Sequence, residues 1–380
     1  MSGDGRDVFF AFAYASWGTA VARGMCFSED RMVETLMRHP GVRRLLVAET
    51  PRSAPVKLLR DRLRPPPPFP ADERRCLYSP LRARRADPAG IGANERCFAR
   101  WDARARAAAE RRGLERPAVI TTHPLIAGFA PLEWASSVTF YAYDDLAESP
   151  PLRRLWPAYE EAYRRLRERG RAVVAVSPAI LEKIRPTGPS AVVPNGVDPD
   201  EWAAPGPPPS WFAELPGPRL LYVGSLESRI DVASLARAAR ALPEASFALV
   251  GPLLEPAPFA QLRGLANVTI KPPAGRAEVV SLVGHADACL IPHVRNPLTE
   301  AMSPLKLYEY LAGGAPVAAL DLPPIRDVSP RVQIRDSLTE AIEAALALGR
   351  ASEGERRSFA AENSWASRQG RIVEIALGGG

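Results

Sequence analysis

Lys306 and Glu309 are the residues whose types and spacing best suit chemistry in this chain. They lie in MSPLKLYEYLAGGAPVAAL, Met302 to Leu320, which reads as a helix start, a short helix, a glycine stop and a buried strand. Ser303 suits the N-cap, and Pro304 the first helical position, where no N–H is needed. Gly313 and Gly314 stop the helix and Pro316 follows them. Residues three apart share a helix face. Unpaired N–H groups, the positive end of the helix dipole and a neighbouring lysine together suit a phosphate. A carboxylate one turn on can accept hydrogen bonds from a pair of sugar hydroxyls. This is the layout expected for a nucleoside diphosphate, although a solvated helix with one ion pair has the same local sequence.

The elements that must hold such a site follow from the pattern of apolar runs. In the first half, DVFFAFA (7–13), RRLLVAE (43–49), AVITT (118–122), VTFYAY (138–143), AVVAVS (172–177) and SAVVPN (190–195) read as strands. Asp30–His39, Asn94–Gly113 and Leu152–Arg169 read as helices, and RPPPPFP (64–70) as an exposed loop. The span 196–218, with PGPPPSW and LPGP, reads as a linker. The alternation then restarts. RLLYVGS (219–225), SFALVGP (246–252), NVTIK (267–271), ACLIP (288–292) and PVAAL (316–320) are the expected strands. Asp231–Leu242, Arg276–Val283, Pro304–Ala312 and Ser337–Leu348 are the expected helices. Two runs of alternating strand and helix predict an α/β chain with two doubly wound, Rossmann-like parallel sheets. The expected division is 1–195 for a first domain, 196–218 for the linker and 219–351 for a second domain. Residues 352–380 would form a helical tail that reaches back to the first domain.

Doubly wound sheets bind ligands at the carboxyl ends of their strands. After the first strand of the second half come Gly224 and Ser225, which permit close backbone approach, and then Arg229, which can neutralise a phosphate. After ACLIP comes the polar loop His293–Ser303, with Arg295, Asn296 and Glu300. In the first half, His123 follows AVITT, where it can titrate near neutral pH or serve structure alone. Asp144 and Asp145 follow VTFYAY, placed for a general base or for a helix cap.

Composition narrows the classes. With 380 residues, 46% hydrophobic and 24% charged, the chain suits two globular domains. Apolar runs fall short of the roughly 18 residues of a membrane span. The start, MSGDGRDVFFAFAYASW, lacks a basic leader, so no signal peptide is expected. Four scattered cysteines give no metal-like spacing, and a reducing cytoplasm is the expected location. Net charge is +6, with the arginine excess concentrated between Arg43 and Arg116 in runs such as LRDRLR, DERR and LRARR. Such a face suits an anionic substrate or peripheral contact with the inner face of an anionic membrane, or is simply solvated. Nucleic acid is not expected, because no helix-turn-helix, zinc-finger or RNP-like pattern accompanies the arginines.

PNGVD (194–198), VGSLESRID (223–231), LIPHVRNPLTEAMSPLKLYEYLAGGAPVAA (290–319) and YAYDD (141–145) together resemble the GT-B nucleotide-sugar glycosyltransferases. The likeness is to bacterial enzymes of the group 1/4 type and to the membrane-associated glucuronosyltransferases. It implies a GT-B fold, with two Rossmann-like domains facing a central cleft. It places Lys306 on the diphosphate, Glu309 on the ribose, and Gly224, Ser225, Arg229, Asn296, Met302 and Ser303 around a donor, with uridine as the base by family habit. It gives the acceptor to residues 1–195, the nucleotide sugar to 219–351 and the base role to Asp144 or Asp145; His123 stands beside them as a catalytic candidate from its place at a strand end. No metal or other cofactor is implied; the nucleotide sugar is a co-substrate and a hydroxyl of a glycan, lipid-linked or secondary-metabolite compound is the acceptor. Two departures stand out. Many retaining members carry a glutamate eight residues before the ribose-binding one, where this chain has Ala301, with Glu300 one step away. The usual arginine–lysine pair after the glycine turn is reduced to Arg229. The inverting glucuronosyltransferase likeness uses an aspartate base. Alternatives are a nucleotide-sugar 2-epimerase and a catalytically silent sugar-nucleotide-binding protein.

Overall fold

The structure, a computed structural model, describes residues 5–63, 65–83 and 86–378 and divides into two compact units, Met1–Pro194 with Ala366–Gly380, and Asn195–Trp365. Arg64, Arg84 and Arg85 of the basic runs lie outside the described residues.

In the first unit the apolar run VFFA makes a strand buried on both faces, as a central parallel strand requires. This strand, β1 (Arg6–Ala11), pairs in parallel with β2 (Val42–Ala48) on one side and β6 (Ala118–Thr121) on the other. Beyond β2 lies β4 (Arg75–Tyr78), and beyond β6 lie β7 (Ser137–Ala142), β8 (Ala172–Ala175) and β9 (Ser190–Val192). The order β4-β2-β1-β6-β7-β8-β9 reverses direction between β1 and β6. A separate two-stranded ribbon joins β3 (Arg52–Ser53) to β5 (Leu81–Arg82).

The second unit repeats the plan. Its strands are β10 (Arg219–Val223), β11 (Ser246–Val250), β12 (Val268–Lys271), β13 (Ala288–Ile291), β14 (Val317–Ala319) and β15 (Val332–Ile334), ordered β12-β11-β10-β13-β14-β15. Here the order reverses between β10 and β13. At each reversal the connections leave toward opposite sides, so the strand ends there stay uncovered and can receive a ligand. The expectation of two doubly wound parallel sheets is met in both units.

Several elements escaped the sequence pattern. The edge strands β4 and β15 are short, and charged or polar neighbours hide their apolar residues. The helix Ala54–Leu63 falls in an arginine-rich stretch whose exposed Leu58, Leu59 and Leu63 give it little amphipathic contrast. The larger correction concerns 196–218. This span is part of the second unit rather than a linker, with short helices at Pro199–Trp202 and Ser210–Ala213. Its prolines suggest an exposed connection, but Trp202 and Phe212 are sunk in the same core as Leu221, Cys289 and Leu307. Two aromatic anchors outweigh the proline-rich composition between them.

The C-terminal segment divides. Glu353–Glu362, capped by Ser352, stays with the second unit, whereas Trp365–Ala376 falls almost wholly within the first. There Gln369 is fully buried, accepting from the Thr35 hydroxyl at 2.8 Å and donating to the Ser28 carbonyl at 2.8 Å. Among the described residues no helix is long and apolar enough to cross a membrane.

Replacing a fully buried phenylalanine by alanine removes apolar contacts and leaves a cavity, at a cost of about 3–5 kcal/mol. Phe212→Ala is therefore expected to lower the midpoint of thermal or urea unfolding clearly, whereas replacing the exposed Pro207 should change it little. Equal behaviour of the two variants would restore the linker interpretation.

Candidate active site

The end of β10 decides the geometry of the second unit. Gly224 follows the strand with φ near +147°, and Gly251 follows β11 with φ near +153°. A side chain on Gly251 would collide with the Gly224 carbonyl, so the two strand ends can approach this closely because residue 251 is glycine. A side chain on Gly224 would lie 2.8 Å from Lys306 Nζ. The missing Cβ is thus what lets the lysine reach the strand end.

Lys306 comes from the helix Leu305–Ala312, whose start carries no side-chain cap. Its ammonium donates to the Tyr222 hydroxyl at 2.8 Å, sits over the Tyr222 ring at 4.2 Å and lies 3.4 Å from His293 Nε2. Among the described residues no carboxylate lies within ion-pair distance of it. Loss of hydration, aided by the Arg229 charge, pushes its pKa down to about 7. His293, 3% exposed just past β13, is held well below the usual histidine value by burial and by Lys306 and Arg229. Its Nδ1 is buried without a hydrogen-bond partner. Lys306, Arg229 and His293 thus gather where the strand order of this sheet reverses. Arg229 is partly offset by an ion pair with Glu227. An anion there would be met by the Arg229 charge and would draw Lys306 into its ammonium form, with the neutral His293 ring beside it.

Glu309, one turn along the same helix, points its carboxylate to Arg276 at 2.5 Å. Arg276 also grips Glu201 at 2.6 and 2.8 Å and lies over the Trp202 ring, so Glu309 is fixed from the side and keeps a second oxygen for another donor. The supposed cap differs. Pro304, not Ser303, occupies the cap position, and the Ser303 hydroxyl instead accepts from the Asn195 N–H at 3.1 Å. The Asn195 side chain completes that clasp by donating to the Ser303 carbonyl at 2.7 Å, which gives PNGVD a structural part at the base of the helix. Asn296 spends its side chain capping Pro297–Ala301, and Met302 packs in the core. Ser225 accepts from Tyr222 through its carbonyl. Glu300 pairs with Arg295, and Ala301 is buried. Tyr222, Arg276 and Glu201 were not singled out in the sequence, and His293 only as the first residue of the polar loop. Only His293 carried a signal, its place just after a predicted strand.

In the first unit, His123 caps Pro124–Phe129 and is almost wholly buried. The Leu125 N–H donates to its Nδ1 at 3.2 Å, which assigns the proton to Nε2, 3.5 Å from Asp87. The Tyr14 and Phe98 rings enclose it. Burial would raise the Asp87 carboxyl, but His123 and Arg82 bring it down to about 2. The aspartate pair separates into two environments. Asp145 is 2% exposed, accepts from the Ala147 N–H at 3.1 Å and holds Lys183 at 3.0 Å. Burial raises its pKa despite that lysine. Asp144 is half-buried and accepts from the Asp145 N–H at 2.9 Å.

Residues 38–201 match the family model for Glycosyltransferase Family 4. Over 104 residues the chain is 33% identical to TuaH of Bacillus subtilis (strain 168), named as a teichuronic acid biosynthesis glycosyltransferase. That match covers 27% of this chain and 26% of the relative, about a quarter of each. Solved structures agree along nearly the whole length. Alpha,alpha-trehalose 6-phosphate synthase from Burkholderia multivorans superposes with a TM-score of 0.70 at 12% identity, covering 98% of both chains. Anabaena HepE, solved with UDP and glucose, gives 0.64 at 15% identity over 97% of this chain and 99% of its own.

The chain has the GT-B fold. Recognition of a GT-B chain of the glycosyltransferase type, made from the motifs, is borne out by the family match and these likenesses. In this GT-B chain the family model spans most of the unit that carries His123 and the aspartate pair, and ends in the first helix of the unit that carries Lys306.

The depressed Lys306 pKa has a measurable consequence. An unfolded lysine titrates near 10.4, so between about 7 and 10.4 the unfolded chain holds more protons and this residue's contribution to stability rises with pH. Below about 7 the buried charge is present and that contribution is gone. A bound diphosphate favours the ammonium and raises its pKa. Calorimetry of uridine diphosphate in buffers of different ionisation enthalpy should thus show uptake approaching about one proton at pH 8, little at pH 6, and none at pH 8 for Lys306→Arg. Absence of uptake by the wild type at pH 8 would contradict the placement of the anion.

Proposed function

We propose that the chain is a glycosyltransferase that moves a sugar from a uridine diphosphate sugar to an acceptor hydroxyl, without a metal ion. The observation that carries this reading is the gathering of Lys306, Arg229 and His293 on the glycine-walled end of β10, where Lys306 has no carboxylate within ion-pair distance among the described residues. Positive charge that the bound diphosphate itself fixes on Lys306, beside Arg229, stabilises the leaving group in the way a metal ion otherwise would. Glu309, aligned by Arg276, is suited to the ribose hydroxyls. Uridine as the base is supported by the UDP bound in the similarly folded HepE.

The proposed step begins with deprotonation of an acceptor hydroxyl by a carboxylate in the first unit. The resulting oxygen attacks the anomeric carbon as the bond from that carbon to the diphosphate breaks. The electron pair leaves with the diphosphate, beside Lys306. Asp144 is the better base. Asp145 is buried and committed to Lys183, which also binds Glu148, so its environment suits holding the loop. Glu300, neutralised by Arg295, is poorly placed to replace the missing retaining glutamate, and we favour inversion at the anomeric carbon.

Removing a general base lowers turnover by about 10²–10⁴-fold. Asp144→Asn should lose turnover on that scale yet bind uridine diphosphate with unchanged affinity. Asp145→Asn should chiefly lower thermal stability. The reverse ranking would sink the base assignment. Lys306→Ala should lose on the order of a hundredfold in rate. Product analysis with no acceptor present tests the epimerase alternative, which predicts a changed free nucleotide sugar. Excess chelator should leave the rate intact, and a loss restored by a divalent cation would overturn metal independence.

A further inference from the structure

Arginines of the helix Ile91–Arg111 recur at positions 96, 100 and 104, one face of successive turns. In the first unit they wall a cavity of about 290 Å³ together with Arg82, Asp87 and Trp101. Like charges four residues apart repel along a helix, so this face is costly unless something answers it. Among the described residues nothing does so fully. Arg104 donates to the Leu81 carbonyl at 3.3 Å, a neutral partner, and Arg96 and Arg100 make no hydrogen bond or ion pair among the described residues. Asp87 is the one carboxylate among the described lining residues, and it is already bound to Arg82 and faces His123. Trp101, 5% exposed, adds a buried indole N–H that has no acceptor among the described residues. Apolar wall residues, Leu81 and Phe98 among them, complete the lining.

We infer that this cavity binds the phosphate or diphosphate group of the acceptor. Guanidinium groups match phosphate oxygens with paired N–H donors, and arginine remains charged at any working pH. The volume lies at the low end of the ~300–1,000 Å³ usual for small-molecule sites, enough for a charged head group but not for an extended chain. Its wall includes Asp87, so the bound group would lie beside the strand end that carries His123. The word acceptor rests on the glycosyltransferase reading, whereas the affinity for phosphate does not.

The test uses the full chain carrying Lys306→Ala, in which the lysine of the second unit can no longer hold an anion. Titrated with inorganic pyrophosphate, this protein should still bind, and adding Arg96→Gln with Arg100→Gln should weaken binding at least tenfold. Both arginines are exposed, so the variants are expected to keep the parent's thermal midpoint. Loss of binding with Lys306→Ala alone, or equal binding with and without the two arginines, would overturn the inference. Co-sedimentation with phosphatidylcholine vesicles, with and without phosphatidic acid, then identifies the source. Capture by phosphatidic acid that requires Arg96 and Arg100 indicates a lipid head group. Pyrophosphate binding without capture indicates a soluble phosphorylated compound. If pyrophosphate binds through the arginines yet no sugar is ever transferred, the cavity stands and the transferase reading falls.

Discussion

The contact between Lys306 and the end of β10 is the constraint around which the second unit is arranged. It requires an uncovered strand end, supplied where the sheet changes direction, and the absence of a side chain at Gly224. It also requires Gly251, since any Cβ there would drive into the Gly224 carbonyl. Each condition places a lysine in partly dehydrated surroundings beside another cation. The charge there is expensive without an anion, and that expense is what makes the site selective for one.

The same economy of environment separates chemically equal groups in the first unit. Asp144 and Asp145 are neighbours, yet one is buried against Lys183 and the other remains half-buried at the strand end. His123 faces Asp87 and caps a helix, which fixes its tautomer through the Leu125 N–H. The Tyr14 and Phe98 rings pack against its ring, and the Asp87 that it faces also lines the arginine-walled cavity. The arginine excess noted in the composition therefore resolves into two populations. Arg43, Arg82 and Arg106 are spent on carboxylates, while Arg96 and Arg100 are left facing a space.

Much of the fold was legible because central parallel strands are buried on both faces, and runs such as VFFA, SFALV and ACLI announce that directly. Edge strands lack this signature, which is why β4 and β15 were missed. The span 196–218 misled for a related reason: proline reports local backbone stiffness, whereas Trp202 and Phe212 report burial, and only the latter decides membership of a core. Of the site, Lys306, Glu309 and Gly224 stood out through spacing and type. Arg276, Glu201 and Tyr222 did not, because a residue that orients another has no pattern of its own.

The sequence by itself determined two doubly wound sheets, the glycine turn after β10, and a helix bearing a lysine and a glutamate on one face. Those features are local, set by side-chain period and backbone freedom. Tertiary structure alone decided that Lys306 would meet Tyr222 and His293, that Arg276 would hold Glu309, and that one aspartate of a pair would be buried. Those outcomes depend on dehydration and on partners 13 to 84 residues away, and neither quantity is written in the order of the residues.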